Sequence, residues 1–112
     1  MIIYILELEN DKYYIGFTNN PEFTLDNHIA TLWTLTYTPI KLIKMIDDCN
    51  INDEDIYTLY YMKEFGIENV RGGSFYKLIL NDDDIISIKN KIEILEGKES
   101  MLLSLMYCCI IL

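Results

Sequence analysis

The chain has 112 residues, the usual size of one domain, and its 51% content of hydrophobic residues is enough for a core and too high for a disordered protein. Eighteen acidic residues face nine basic ones, which gives a net charge of −9. Proteins that hold nucleic acid draw most of their affinity from clustered lysine and arginine, so this balance argues against tight, general binding of DNA.

Two apolar segments at the start of the chain, residues 2–8 and 13–17, predict a β-hairpin. The connection contains an Asn-Asp pair, and these two residue types tolerate positive φ in a tight loop. Glu9 and Lys12 flank that pair, so we expect a cross-strand ion pair between them.

The register of the hairpin decides where its tyrosines lie. A two-residue loop would put Tyr4 and Tyr14 on opposite faces, because side chains alternate along a strand. A three-residue loop or a β-bulge would bring both tyrosines onto one face. The sequence leaves these alternatives open.

Asn20 is predicted to cap a first helix that begins at Pro21 and runs to about residue 31. Thr24 and His28 lie four residues apart, so they would share one face of this helix. The residues expected to face the core are Phe23, Leu25, Ile29 and Leu32.

Pro39 opens a predicted third strand that runs to Met45, and Asn52 is predicted to cap a second helix that ends before Gly66. The apolar stripe of this helix is expected to contain Ile56, Leu59, Tyr60 and Met62. Residues 69–74 then predict a turn.

The last segments complete the predicted domain. Residues 75–80 predict a short strand or helix, and a final helix spans about residues 82–96 with Gly97 as its stop. The expected class is therefore α/β, more narrowly α+β, with a three-stranded antiparallel sheet flanked by helices. The domain covers residues 1–97, and residues 98–112 form an apolar C-terminal tail.

Three cysteines, Cys49, Cys108 and Cys109, have the spacing of neither a disulfide framework nor a metal site, which favours an intracellular, reducing compartment. The N-terminus has no basic segment, so we expect no secretion signal.

The tail ends in Cys109-Ile110-Ile111-Leu112, which fits a prenylation box with Cys109 as the lipidation site. The alternatives are an apolar tail packed on the core and a chance product of truncating a longer protein.

Ile3-Tyr4 and Tyr14-Ile15-Gly16 come first, and Asn20-Pro21 and His28 follow in order. In these motifs the chain resembles the GIY-YIG nuclease superfamily, whose members cut DNA with tyrosine, arginine, histidine and glutamate around one divalent metal. The resemblance implies a small GIY-YIG domain in which Tyr4 and Tyr14 occupy the two tyrosine positions. His28 would then be an acid or base partner of Tyr14.

Two family positions carry threonine here. The position of the family arginine is Thr24, and a hydroxyl cannot make bidentate, charge-assisted bonds to a phosphate. The position of the metal-binding glutamate is Thr58, and a neutral hydroxyl is a weak ligand for Mg²⁺ or Mn²⁺. Glu54 and Asp55, about one helical turn or roughly 5 Å earlier, are the candidate substitute metal ligands.

Residues 65–75 resemble, more specifically, the GIY-YIG branch found in large DNA viruses, in which threonine is frequent at the position of Thr58. This segment adds Asn69 as a candidate catalytic residue and Arg71 as a candidate nucleic-acid-binding residue. The resemblance implies a viral protein in the host cytoplasm or at a host membrane.

The expected function is that of a GIY-YIG endonuclease-like protein that is catalytically impaired and acts as a binding or interaction module for a protein partner. One alternative is an active DNA endonuclease, a phosphodiester hydrolase that uses Mg²⁺ or Mn²⁺. A further alternative is a prenylated, membrane-associated scaffold protein.

Overall fold

A computed structural model describes residues 1–98 of the chain, so Cys108 and Cys109 lie outside the described residues. The strands are β1 (Ile2–Leu8), β2 (Lys12–Thr18), β3 (Pro39–Ile46) and β4 (Val70–Gly72), and the helices are α1 (Leu32–Thr36), α2 (Ile51–Phe65) and α3 (Asp82–Lys98). The four strands form one mixed sheet in the order β3-β1-β2-β4. The described domain is therefore α+β.

Alternation along β1 supplies a core on each face of the sheet. Ile3 and Ile5 point to the face covered by α2 and α3, where they are fully buried. Tyr4, Leu6 and Leu8 point to the opposite face, where they pack with Phe23 and Trp33. Because both faces of β1 are covered, this strand is apolar almost throughout.

The hairpin is confirmed, and a three-residue loop sets its register. Residues Glu9–Asp11 form a single 3₁₀ turn in which Asn10 and Asp11 have φ values of 60° and 57°. Leu6 therefore pairs with Tyr14, which puts Tyr14 on the same face as Tyr4.

The predicted ion pair between Glu9 and Lys12 is wrong, because the loop puts Lys12 opposite Leu8. The Lys12 ammonium instead donates a hydrogen bond to Asn69 Oδ1 at 2.6 Å.

The predicted first helix over residues 21–31 is wrong. Asn20 Oδ1 accepts a hydrogen bond from the Glu22 amide at 3.0 Å, and its backbone carbonyl accepts one from Phe23 at 3.1 Å, which closes a turn rather than starting a helix. Only a 3₁₀ turn over Leu25–Asn27 follows. Phe23 is still buried, but Ile29 and Leu32, which were expected in the core, are 83% and 59% exposed.

The expectation of three antiparallel strands is corrected by β4, which pairs in parallel with β2 where a turn was predicted. This strand has only three residues, and its central residue is Arg71, so it lacks the apolar alternation by which strands are recognised. The predicted element at residues 75–80 is absent, because apart from an isolated bridge at Phe75 those residues form a bend and irregular chain.

The third strand and the last two helices are confirmed with shifted ends. Helix α2 begins two residues earlier than expected because Asn50, rather than Asn52, caps it: Asn50 Oδ1 accepts hydrogen bonds from the Asn52 and Asp53 amides at 2.9 and 3.2 Å. Helix α3 continues through Gly97 to Lys98. None of the helices within residues 1–98 is both long and apolar enough to span a bilayer.

The position of the α2 cap can be tested with two neighbouring asparagines. We expect Asn50→Ala to lower the free energy of unfolding by about 1 kcal/mol, because it removes the acceptor of two amide hydrogen bonds. Asn52→Ala, the matched control, should change it by less than about 0.5 kcal/mol. Urea denaturation of both variants measures the difference, and a larger loss for Asn52→Ala would contradict the cap described here.

Candidate functional site

The candidate site begins with the tyrosine pair on one face of the hairpin. The ring centroids of Tyr4 and Tyr14 are 6.2 Å apart, and the Tyr4 ring stacks on Phe23 at 4.2 Å. Gly16, which pairs with Tyr4 across the hairpin, leaves room for this arrangement. A Cβ at Gly16 would collide with the Tyr4 ring and its hydroxyl, and would lie 2.9 Å from the Tyr14 ring. The tyrosine pair therefore requires glycine at position 16 of the second motif for steric reasons.

Glu54, in the first turns of α2, lies within electrostatic reach of both tyrosines. Burial, Tyr14 and then Glu54 raise the pKa of the Tyr4 hydroxyl well above its ordinary value. Burial and then Glu54 also raise the pKa of Tyr14. The pKa of Glu54 is itself raised, mainly by burial and further by the neighbouring Asp55. The charged residue that acts on both tyrosines is therefore an acid.

Asp55 is held by a turn after β4. Its two carboxylate oxygens accept hydrogen bonds from the Ser74 amide at 2.8 Å and the Ser74 hydroxyl at 2.7 Å. Gly73, with φ of 51°, lets the turn come this close, since a Cβ there would collide with Asp55 Oδ1. The sequence singled out neither Ser74 nor Gly73 as a partner of Asp55.

Thr58 lies in the core rather than in the site. It is 0% exposed, and its hydroxyl donates a hydrogen bond to the Glu54 carbonyl at 2.7 Å. A Cβ added at Gly72 would lie only 2.7 Å from Thr58 Oγ1, so Thr58 and β4 are packed closely together.

The residues present do not fit the divalent metal that the resemblance implies. The Thr58 hydroxyl is bonded inside the core and Asp55 is bonded to Ser74, which leaves Glu54 as the carboxylate available at the tyrosines. Mg²⁺ and Mn²⁺ prefer several oxygen ligands with carboxylates among them. Within residues 1–98, histidine, cysteine and acidic side chains form no group of three that could hold a metal ion.

Thr24 and His28 do not share a helix face. Thr24 is exposed in the loop, and its amide donates a hydrogen bond to Asn27 Oδ1 at 2.9 Å. His28 is half-exposed, and its Nδ1 lies 2.8 Å from the Leu25 carbonyl. A carbonyl only accepts, so Nδ1 carries the proton and Nε2 remains available to a ligand.

Arg71, the candidate for nucleic-acid binding, is 3% exposed and directed into the protein. Its guanidinium carbon lies 4.4 Å from the centre of the Trp33 ring. The guanidinium donates hydrogen bonds of 2.7–3.4 Å to the backbone carbonyls of Ile67, Val70, Lys77 and Leu78. In this conformation Arg71 holds the chain around β4 together and presents no free donor pair to a phosphate.

Asn69, the remaining candidate, also has structural partners. Its Nδ2 donates a hydrogen bond to the Phe65 carbonyl at 2.7 Å, and its Oδ1 accepts the bond from Lys12. These bonds join the end of α2 to the start of β2. The structure thus pairs Tyr4 with Tyr14 within the electrostatic reach of Glu54, and it engages Asn69, Arg71 and Thr58 elsewhere in the fold.

Comparisons with protein-family models, with curated proteins and with solved structures found no match to this chain.

The two neighbouring acids of α2 should respond oppositely to neutralisation. The folded-state pKa of Glu54 is raised, so its contribution to stability is lost as the pH rises through that pKa. We expect Glu54→Gln to be more stable than the parent protein at neutral pH and equal to it below the ordinary pKa of glutamate. Asp55→Asn should instead lose about 1 kcal/mol, because an amide nitrogen cannot accept from Ser74.

Urea denaturation of both variants at neutral and acidic pH measures these differences. A loss of stability for Glu54→Gln at neutral pH would show that its carboxylate makes a stabilising bond instead of a costly, half-buried charge.

The role of Arg71 can be separated from nucleic-acid binding. Arg71→Lys keeps the charge but cannot reproduce the forked set of bonds, so we expect a loss of about 2–4 kcal/mol in the free energy of unfolding. Lys89→Ala, an exposed control, should stay within about 0.5 kcal/mol. An Arg71→Lys variant of unchanged stability that binds DNA more weakly would contradict the structural role.

Proposed function

We propose that this chain is a GIY-YIG endonuclease-like protein that is impaired in cleavage and acts as a binding or interaction module. The proposal rests on the motif resemblance for the family and on the site geometry for the loss of activity. Tyr4 and Tyr14 remain paired, as a working site of that family would require.

The observation that carries the loss of activity is the position of the only arginine in the chain. Phosphodiester cleavage builds negative charge on the phosphate, and an enzyme stabilises that charge with a cation or a metal. Arg71 is committed to four backbone carbonyls, and Thr24 offers only an exposed hydroxyl. Glu54 adds negative charge beside the tyrosines, which repels a phosphate unless a metal intervenes.

One observation favours the second candidate function, an active endonuclease. Glu54 acts on both tyrosines although it lies one turn before Thr58. A carboxylate in the first turns of α2 is the kind of group that the family glutamate supplies, and His28 Nε2 is available as acid or base. Metal-dependent cleavage would need oxygen ligands beyond those that the described residues supply. The prenylated, membrane-associated scaffold stays a prediction, since Cys109 lies outside the described residues.

A cleavage assay distinguishes the two candidates. The purified full chain is incubated with duplex, branched and single-stranded DNA, with either Mg²⁺ or Mn²⁺. We expect the parent protein, Tyr14→Phe and Glu54→Gln to give the same background, because neither Thr24 nor the buried Arg71 supplies a cation to the transition state. Tyr76→Phe is the control, since Tyr76 is 73% exposed and far along the chain from the hairpin.

Metal-dependent cleavage that Tyr14→Phe and Glu54→Gln abolish, and that Tyr76→Phe preserves, would establish the active endonuclease instead. Gel-shift titrations in the same buffers should show weak binding of DNA that disappears as salt is raised, as the net charge requires.

A further inference from the structure

The outer edge of β3 is a row of backbone groups that no described strand pairs. Strand β3 is the first strand in the sheet order, and it pairs only with β1. The strand has eight residues, which is long for an edge. An edge of this kind can take up another extended chain through main-chain hydrogen bonds.

Both residues of β3 that have no partner on β1 are isoleucines. Two successive residues of β1 pair with Lys44 and Leu42, and the next two pair with Lys41 and Pro39. The pairing therefore skips Ile43 and Ile40, each at an irregularity of the strand. They are 37% and 57% exposed, respectively. Irregularities of this kind redirect side chains. Here they expose two large apolar side chains at positions where a polar residue would be tolerated equally well.

Two lysines accompany these isoleucines on an otherwise acidic protein. Residues 39–46 contain Lys41 and Lys44 and no acid. Glu7 is opposite Lys41 in the register, yet neither lysine takes part in the ion pairs found within residues 1–98, which join Lys63 to Glu96 and Lys77 to Asp84. The edge is therefore a basic strip that attracts negative charge.

A second copy of the same strand is a poor occupant. In the symmetric antiparallel register that pairs all eight residues of β3, Lys41 lies opposite Lys44 at two places. Like charges directly opposite each other destabilise a strand pair. The lysines thus disfavour self-pairing and leave the edge open to a chain of opposite charge.

Hydrogen bonds also anchor the chain beyond both ends of β3. Beyond one end of β3, the Glu9 amide donates a hydrogen bond to the Thr38 carbonyl at 2.9 Å, and the Thr38 amide donates one to Glu9 Oε1 at 3.1 Å. Beyond the other end, the Cys49 amide donates one to the Met1 carbonyl at 3.0 Å. A preorganised edge costs less conformational entropy when a partner docks.

We propose that β3 is a docking edge for an extended, acidic segment of a partner protein, which adds to the sheet as a fifth strand. Ile40 and Ile43 contact apolar side chains of the partner, and Lys41 and Lys44 pair with its carboxylates. This inference goes beyond the proposed function, because it concerns a different strand and holds whether or not the tyrosine site cleaves DNA.

The experiment uses the isotope-labelled full chain and a capped peptide of alternating glutamate and valine, equal in length to β3. Backbone amide NMR shifts are followed up to millimolar peptide. A peptide of alternating lysine and valine, and anionic lipid vesicles without peptide, serve as the competing probes. The test variant is Lys41→Glu with Lys44→Glu, and the control of equal charge change is Lys89→Glu with Lys91→Glu on α3.

We expect the acidic peptide to shift the amides of β3 and to bind the test variant at least about tenfold more weakly than the control variant. The lysine peptide should bind the test variant better than the parent. The proposal is overturned if β3 does not shift, if both variants bind alike, or if β3 responds to vesicles and not to the peptide. Concentration-dependent dimerisation through β3 would overturn it as well. None of these results bears on DNA cleavage, so this proposal and the proposed function can fail separately.

Discussion

The three-residue loop of the hairpin is the constraint on which the rest of this structure depends. Asn10 and Asp11 both adopt left-handed backbone conformations, and this lets β1 turn into β2 with Leu6 opposite Tyr14. Because side chains alternate along a strand, one residue more or less in the loop would exchange the two faces of β2. Ile15 would leave the core under α2, and Tyr14 would leave Tyr4. Core and candidate site therefore share a single register.

The polar side chains around the candidate site differ in whether hydrogen bonds compensate for their burial. Arg71, Thr58 and Asp55 are each held by short hydrogen bonds to backbone or side-chain partners, so their burial is compensated. Glu54 is different, because burial and the neighbouring Asp55 raise its pKa, and after burial its charge contributes to the raised pKa values of Tyr4 and Tyr14. A charge that costs stability and is retained in a packed cluster is more typical of a functional site than of a structural one.

The fold could be predicted where a pattern had one physical meaning. The apolar pattern of the hairpin predicts little other than two strands. The acids at the start of α2 and the glycine after its end likewise predict a helix. Both elements were predicted correctly apart from their ends. Asn20-Pro21 has two readings, because an Asx turn and a helix cap use the same acceptor, and the turn prevailed. Strand β4 could not be read because Arg71 looks like a surface residue until its four carbonyl partners are known. For the site, the tyrosine pair and Glu54 were candidates, but only the register decides that they meet.

The two edges of the sheet differ for a physical reason that bears on function. At the β4 edge, Arg71 draws the following loop back against the sheet and stacks on Trp33, so this edge, beside the strand that carries Tyr14, is occupied by the protein's own chain. At the β3 edge, two irregularities turn isoleucines outward, and lysines discourage pairing between copies. Strand β1, which carries Tyr4, lies directly beside β3, so a partner strand would add on the side of β3 that faces away from both tyrosines. A binding function at the β3 edge is therefore compatible with either an active or an inactive tyrosine site.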